Sequence, residues 1–496
     1  MVIRTNGFGT VLTVNAPNDT VHHYDCLDEL TITAVANASY HEHGIVRGKA
    51  IIKEGHIVVE NGASIPQISV EGATGAVKVT ANESVLVNVD STSASQASVV
   101  ANADGVYVTG ISIDKISGSQ ASAVELPTVV TTEEEFAAAI SAKKRFIQLG
   151  ADFNATSTHT ISAKTLIDFG GHTITVNNSG TTQEQYVAAI MAMTEGFEFV
   201  NSPFITNNSI LTFTSTDESE AGGITSNGNV VLLNNASLVI NNGFISSTLQ
   251  LHKFYSGRGA YNAKKDPSTW DLSNEQNTYR GNLNATIYRG VIRNMSNGNL
   301  TINNVYLYTK SDYGVYSLGK ATINGGTFNS DSSSANGGYA YCVTNVGEMT
   351  INNAVIRGDH GGLAGNDGKL VINNVDTKAK QFYGLYAAGE VGYSSCEINN
   401  GRFESEAQSA VLVGNSSDGG NGLPASVTIN NGLFIGGINN KGVQLAAVRA
   451  SEVKGGGTYG LGFITIYGGK YNTDVSGANG VKTCTQGSDG YWVVNQ

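Results

Sequence analysis

Proline is nearly missing, with six residues in 496. That excludes proline-rich linkers and, with no Gly-X-Y period, collagen. Cysteine is scarcer still, and the four residues Cys26, Cys342, Cys396 and Cys484 form no CxxC pair and no metal spacing. Buried free thiols are expected rather than a disulfide framework. Charged residues make up only 14%, against roughly a quarter in ordinary domains. Basic residues are the scarcer sign, 29 against 41 acidic, for a net charge of −12. This disfavours nucleic acid, which needs clustered Lys and Arg. No run approaches the ~18 apolar residues of a membrane span. The first residues also lack the apolar run of a signal peptide, so the chain either avoids that route or is a fragment.

Glycine and asparagine take up the composition instead. There are 60 glycines and 50 asparagines, and 39 of the asparagines fall in residues 201–496. One phrase recurs: LVINNGF at 238–244, LTINN at 300–304, TINGGTF at 322–328, and further copies around Ile351, Ile372, Ile398, Ile429 and Ile466. From Ile302 onward the spacings are 21, 28, 21, 26, 31 and 37 residues. A floor near 21 residues with variable excess is what stacked coils of constant circumference give when a corner accepts insertions.

The phrase reads as a short strand ending in a sharp corner, where Asn and Gly tolerate left-handed backbone. Stacking would put Ile over Ile and Asn over Asn, with the amides bonded between layers. A second recurring strand carries Tyr313, Tyr316, Tyr339, Tyr341, Tyr383 and Tyr386. It is expected to form an aromatic stack along one face, and the alternative is a sugar-binding face. One helix is expected near 132–143, with Thr132 as N-cap, Glu135 completing a capping box, and Phe136, Ala139 and Ile140 on its apolar side. It would cover the open end of the first coil.

The helix, FIQLGADFN at 146–154, LIDFGGHTITV at 166–176 and the reiterated TINNG phrase together resemble the pectate-lyase-like right-handed parallel β-helix superfamily, over about residues 128–496. The fold class expected is therefore all-β: a right-handed parallel β-helix (solenoid) with a short capping helix, preceded by a smaller β-rich domain at 1–127. That first segment has period-two strands but no corner phrase. It resembles the leading module of large multi-domain surface proteins of commensal Gram-positive bacteria. The ending, residues 466–494, resembles the closing coil of that group, which acts there as a C-terminal lid.

The superfamily spans lyases, hydrolases, phage tailspikes, adhesins and inert stalks, so the fold does not fix an activity. The Arg-x-Pro-x-x-Arg signature of the lyases is absent. Nothing in the sequence supports the Ca²⁺ those enzymes hold, and no cofactor or metal is expected. The nearest match to the hydrolase motifs is GDHGG at 358–362, so Asp359, His360 and Asp367 are the catalytic candidates, with turn residues as the ordinary alternative. His22, His23, His41 and His43 suggest a metal at first sight, but solvent-facing strand histidines are expected. An insertion over 247–295 interrupts the repeat, and within it residues 251–295 hold seven basic against three acidic residues. Its candidate ligand-binding residues are Tyr255, Arg258, Trp270, Tyr279, Arg280 and Arg289, suited to an acidic glycan or a receptor. The alternative is a long loop pinned by its aromatics.

The function expected is a non-enzymatic extracellular or cell-surface module, a spacer and adhesin that binds a glycan or a host or cell-surface receptor. Its signal and anchor would lie outside this chain. A polysaccharide lyase or glycoside hydrolase on acidic glycans is one alternative. A phage tailspike or virion fibre is the other, and it would be a trimer rather than a monomer.

Overall fold

The computed structural model describes residues 1–6, 10–177, 203–217, 222–227, 231–248, 290–310, 313–331, 341–389, 392–414, 423–451 and 461–495. Within them the chain is mostly strand, with one α-helix, Glu133–Ser141. No helix among the described residues is long and apolar enough to cross a membrane.

Residues 2–117 form one sheet in which every strand pairing is parallel. The strands fall into two ladders, and the 14-residue strand Glu29–Glu42 belongs to both, with a register shift between Val35 and Ser39. Val21, Tyr40, Ile57, Val79 and Val99 stand in register across one ladder, and all are buried. The strands expected from period-two alternation are present. Their parallel stacking was not expected, because this segment lacks the recurring corner repeat.

The second sheet begins at Thr128–Val130 and carries the corner phrase. Each repeat supplies a strand ending at the corner and a strand leaving it, which stack as a first and a second ladder. A third strand joins a separate ten-stranded parallel sheet, the third ladder. Asn299–Asn303, Tyr306–Thr309 and Val315–Ser317 make one such set. Ile240, Ile302, Ile323, Ile351, Ile372, Ile398, Ile429 and Ile466 are consecutive partners in the first ladder, and each is at most 1% exposed. Burying each is worth about 1.5–3 kcal/mol. A lone repeat buries none of them, so the stack is the stabilising unit.

The corner works as its composition predicts. Asn304, Asn353 and Asn374 adopt positive φ, at 43°, 52° and 58°. At Gly326 a side chain is excluded, since a Cβ there would lie 2.4 Å from the Val305 carbonyl oxygen. The side-chain amides of Asn241, Asn303, Asn324, Asn352, Asn373, Asn399 and Asn430 form an unbroken ladder with N···O distances of 2.7–3.1 Å. The expected tyrosine stack is partial: Tyr386 stacks on Tyr341 at 5.6 Å and on Tyr383 at 5.9 Å, while Tyr313 meets Tyr316 edge-on. Tyr339 lies outside the described residues.

Both ends of the second sheet are covered. The Thr132 hydroxyl accepts the Glu135 N–H, and the Glu135 carboxylate accepts the Thr131 N–H at 2.7 Å. The helix thereby seats Phe136 against the rings of Phe153, His159 and Phe204. At the far end Trp492–Asn495 turns back antiparallel onto Gly469–Tyr471 and Thr483–Gln486. The two sheets meet where Leu86 and Tyr107 pack on Phe146 and Leu166, beside ion pairs from Asp104 to Arg145 and Lys164. All four cysteines are free, with Cys342 and Cys396 buried.

Ile240 and Ile302 are direct partners, as are Leu232 and Ile292. The 62-residue interval between the two isoleucines therefore spans a single step of the first ladder. The expected insertion at 247–295 is trimmed by strands at both ends, Phe244–Ser247 and Ile292–Asn294.

Candidate functional site

The outer face of the second ladder concentrates the chain's scarce charge. Tyr306–Thr309, Thr327–Ser330, Val355–Gly358, Gly368–Ala379 and Ser394–Ser405 stack there in parallel. Alternate residues turn inward, and Leu307, Phe328, Ile356, Thr377 and Phe403 are buried. The residues that follow them turn outward by the pleat. This gives the in-register row Tyr308, Asn329, Arg357, Lys378 and Glu404. Two residues further on, a second row runs Lys310, Asp331, Asp359, Lys380 and Glu406. Its backbone is tied rung to rung, by Asp331 N–H to Thr309, Asp359 N–H to Ser330, Lys380 N–H to Gly358 and Glu406 N–H to Ala379.

These rows wall a depression of about 380 Å³ with Tyr306 at its edge. Its side chains are cross-linked between rungs. The Tyr308 hydroxyl donates to Asp331 Oδ2 at 2.6 Å. Lys380 pairs with Asp359. Lys378 reaches Glu404 at 2.9 Å and Glu406 at 3.0 Å. Arg357 holds Asp376 on the next rung at 2.7 Å, whereas Arg402 holds Glu404 within its own strand at 2.6 Å. Exposed pairs of this kind stabilise by only about 0–1 kcal/mol each, so their main effect is to fix side chains in place.

The electrostatics follow from those contacts. Burial, then the bond to Asp331, pushes the Tyr308 hydroxyl up to about 12, so it stays a neutral donor at ordinary pH. The bonds to Glu404 and Glu406 raise the Lys378 ammonium. Lys380 is raised by its bond to Asp359. Burial opposes ionisation of Glu404, but its bonds from Lys378 and Arg402 outweigh that and leave it below the usual range. Tyr306 is 47% exposed, and its hydroxyl accepts from the Asn329 amide at 3.4 Å.

Of the residues expected from sequence, Asp359 belongs to this wall. Asp367 does not: a six-residue strand, Gly361–Asn366, separates the two, and Asp367 sits at φ 68° accepting the Gly392 N–H. A strand of that length spans roughly 20 Å, so these two candidate carboxylates are held apart, and Asp331 is the carboxylate on the rung beside Asp359. His360 is packed between Phe382, at 4.1 Å, and Tyr341, and burial lowers its pKa to about 4. That is a core position rather than an acid–base one. Tyr255, Arg258, Trp270, Tyr279, Arg280 and Arg289 lie outside the described residues.

The histidines of the first sheet separate into two groups. His23 is buried, with Nδ1 at 2.7 Å from Glu42 and Nε2 at 2.7 Å from the Thr5 hydroxyl, and Tyr40 donates to the same carboxylate. His22, His41 and His43 stack on the outer side, where His22 Nδ1 lies 3.0 Å from His43 Nε2 and His41 bonds Glu60. Among the described residues no group of three or more His, Cys, Asp or Glu side chains could hold a metal ion.

Sequence reasoning passed over Asp331, Tyr308, Arg357, Lys378 and Lys380. The signal was available in the repeat: each lies six or eight residues after a corner isoleucine, Ile302, Ile323, Ile351 or Ile372. No known protein family, curated protein or solved structure matches this chain.

Proposed function

We propose that this chain is an extracellular module built as a right-handed parallel β-helix, a rigid spacer that presents a glycan-binding wall. The observation that carries the reading is the depression edged by Tyr306, in which donors and acceptors recur on successive rungs. Rungs about 4.8 Å apart match an extended polymer of hydroxyl-bearing rings, and an exposed tyrosine face packs on a sugar's apolar side. Support for the β-helix comes from three ladders of parallel strands with repeats of 21 to 37 residues. The extracellular location fits the low charge and the extended regular ladders. A glycan array read with wild type and Tyr306→Ala tests the site: retained binding in the variant would remove it.

A glycoside hydrolase is the second reading, favoured by Asp331 and Asp359 on adjacent rungs. Retaining enzymes hold two carboxyls about 5–5.5 Å apart. Here both are engaged as acceptors, from Tyr308 and Lys380, which suits holding a ligand better than protonating a leaving group. New reducing ends from a polysaccharide panel, abolished by Asp331→Asn, would establish the enzyme instead.

A further inference from the structure

Resting on that glycan-binding reading, we infer that the wall selects neutral glycans and rejects polyuronates. Three cations line the depression, and each is paired with a carboxylate: Arg357 with Asp376, Lys378 with Glu404 and Glu406, and Lys380 with Asp359. Lys310 and Arg402 stand outside its lining. With Asp331, five carboxylates meet these three cations. An incoming uronate finds no uncommitted cation among these three. It can take a spare N–H of a paired cation only by sitting beside that cation's own carboxylate, a like-charge contact in a chain already at −12. A neutral hydroxyl meets the opposite situation. It donates to a carboxylate lone pair still open and accepts from a spare Lys or Arg N–H without breaking either pair. Asp359 keeps 22% of its side chain exposed and Lys380 keeps 60%, so both remain reachable while paired. Vicinal hydroxyls can bridge such a pair, and the Tyr306 ring supplies the apolar contact.

The test titrates the whole chain with neutral oligosaccharides (gluco-, manno- and galacto-series) and with oligogalacturonate and oligoalginate, by calorimetry at about 20 mM and about 500 mM salt. We expect a neutral series to bind with little salt dependence and the uronates to stay silent. Tyr306→Ala should weaken binding by roughly fivefold to tenfold, and Tyr306→Phe should keep it. Asp359→Asn frees Lys380 and should create uronate binding that fades at high salt. Uronates bound by wild type and lost in Tyr306→Ala would overturn the neutral preference while leaving the glycan site standing. Silence on every glycan would overturn both. A thermal melt of each variant matching wild type shows that the fold is intact.

Discussion

Asn352 shows what one residue does in this chain. Its amide donates to Asn324 Oδ1 at 2.8 Å, and its oxygen accepts from Asn373 at 2.8 Å. Asn352→Ala removes one ladder bond from each neighbour, Asn324 and Asn373, in a half-buried ladder, so a loss of about 1–3 kcal/mol is expected from urea unfolding. His360 sets a pH dependence. Its pKa in the folded state is lowered to about 4 by burial, against about 6.5 in the unfolded chain. The unfolded state therefore binds the proton first, and stability falls as pH drops from about 6.5 through about 4, by up to about 3 kcal/mol. His22, lowered by burial and then by His41 and His43, acts in the same direction. The acid limb of the stability curve checks this, and His360→Phe should flatten it; an unchanged limb would exclude His360 as its source.

At the scale of elements, the helix Glu133–Ser141 is the part with the clearest task. Its Phe136 is fully buried and meets three aromatic rings of the first strands. Phe136→Ala should cost about 3–5 kcal/mol and open the sheet from that end. Amide exchange in Phe146–Leu149 and Thr165–Asp168 should accelerate first, while Ile398 and its neighbours stay protected. Uniform acceleration would mean that the helix is not an end cover. The ladders themselves were readable from the chain because a corner repeat leaves a mark on every pass. The strand Glu29–Glu42 left none. It feeds two ladders through an irregular register, and nothing in its alternation distinguishes parallel stacking from a hairpin.

For the whole molecule, the helix covers one end of the second sheet, and the antiparallel strands Thr483–Gln486 and Trp492–Asn495 interrupt its parallel register at the other. An interrupted register is a poor template for end-to-end growth. Light scattering is expected to return a monomer of 51.8 kDa, and a trimer would favour the fibre alternative. Charge has the same large-scale logic. In a chain with only 29 basic residues, Arg357, Lys378 and Lys380 on the second-ladder wall are tied to acids on neighbouring rungs. The wall is therefore polar without being a strong field.

The primary structure settled the corners, the core isoleucines, the covering helix and the all-β character. Each rests on local chemistry: left-handed backbone for Asn and Gly, apolar periodicity, and a capping box. Which outward residues meet depended on register, because Asp331 and Asp359 lie 28 positions apart in sequence and one rung apart in space. Asp359 and Asp367 show the converse, near in sequence yet held at opposite ends of one strand. Stacking is long-range: it turns a variable spacing along the chain into a fixed separation between layers. The charged wall exists only once that has happened.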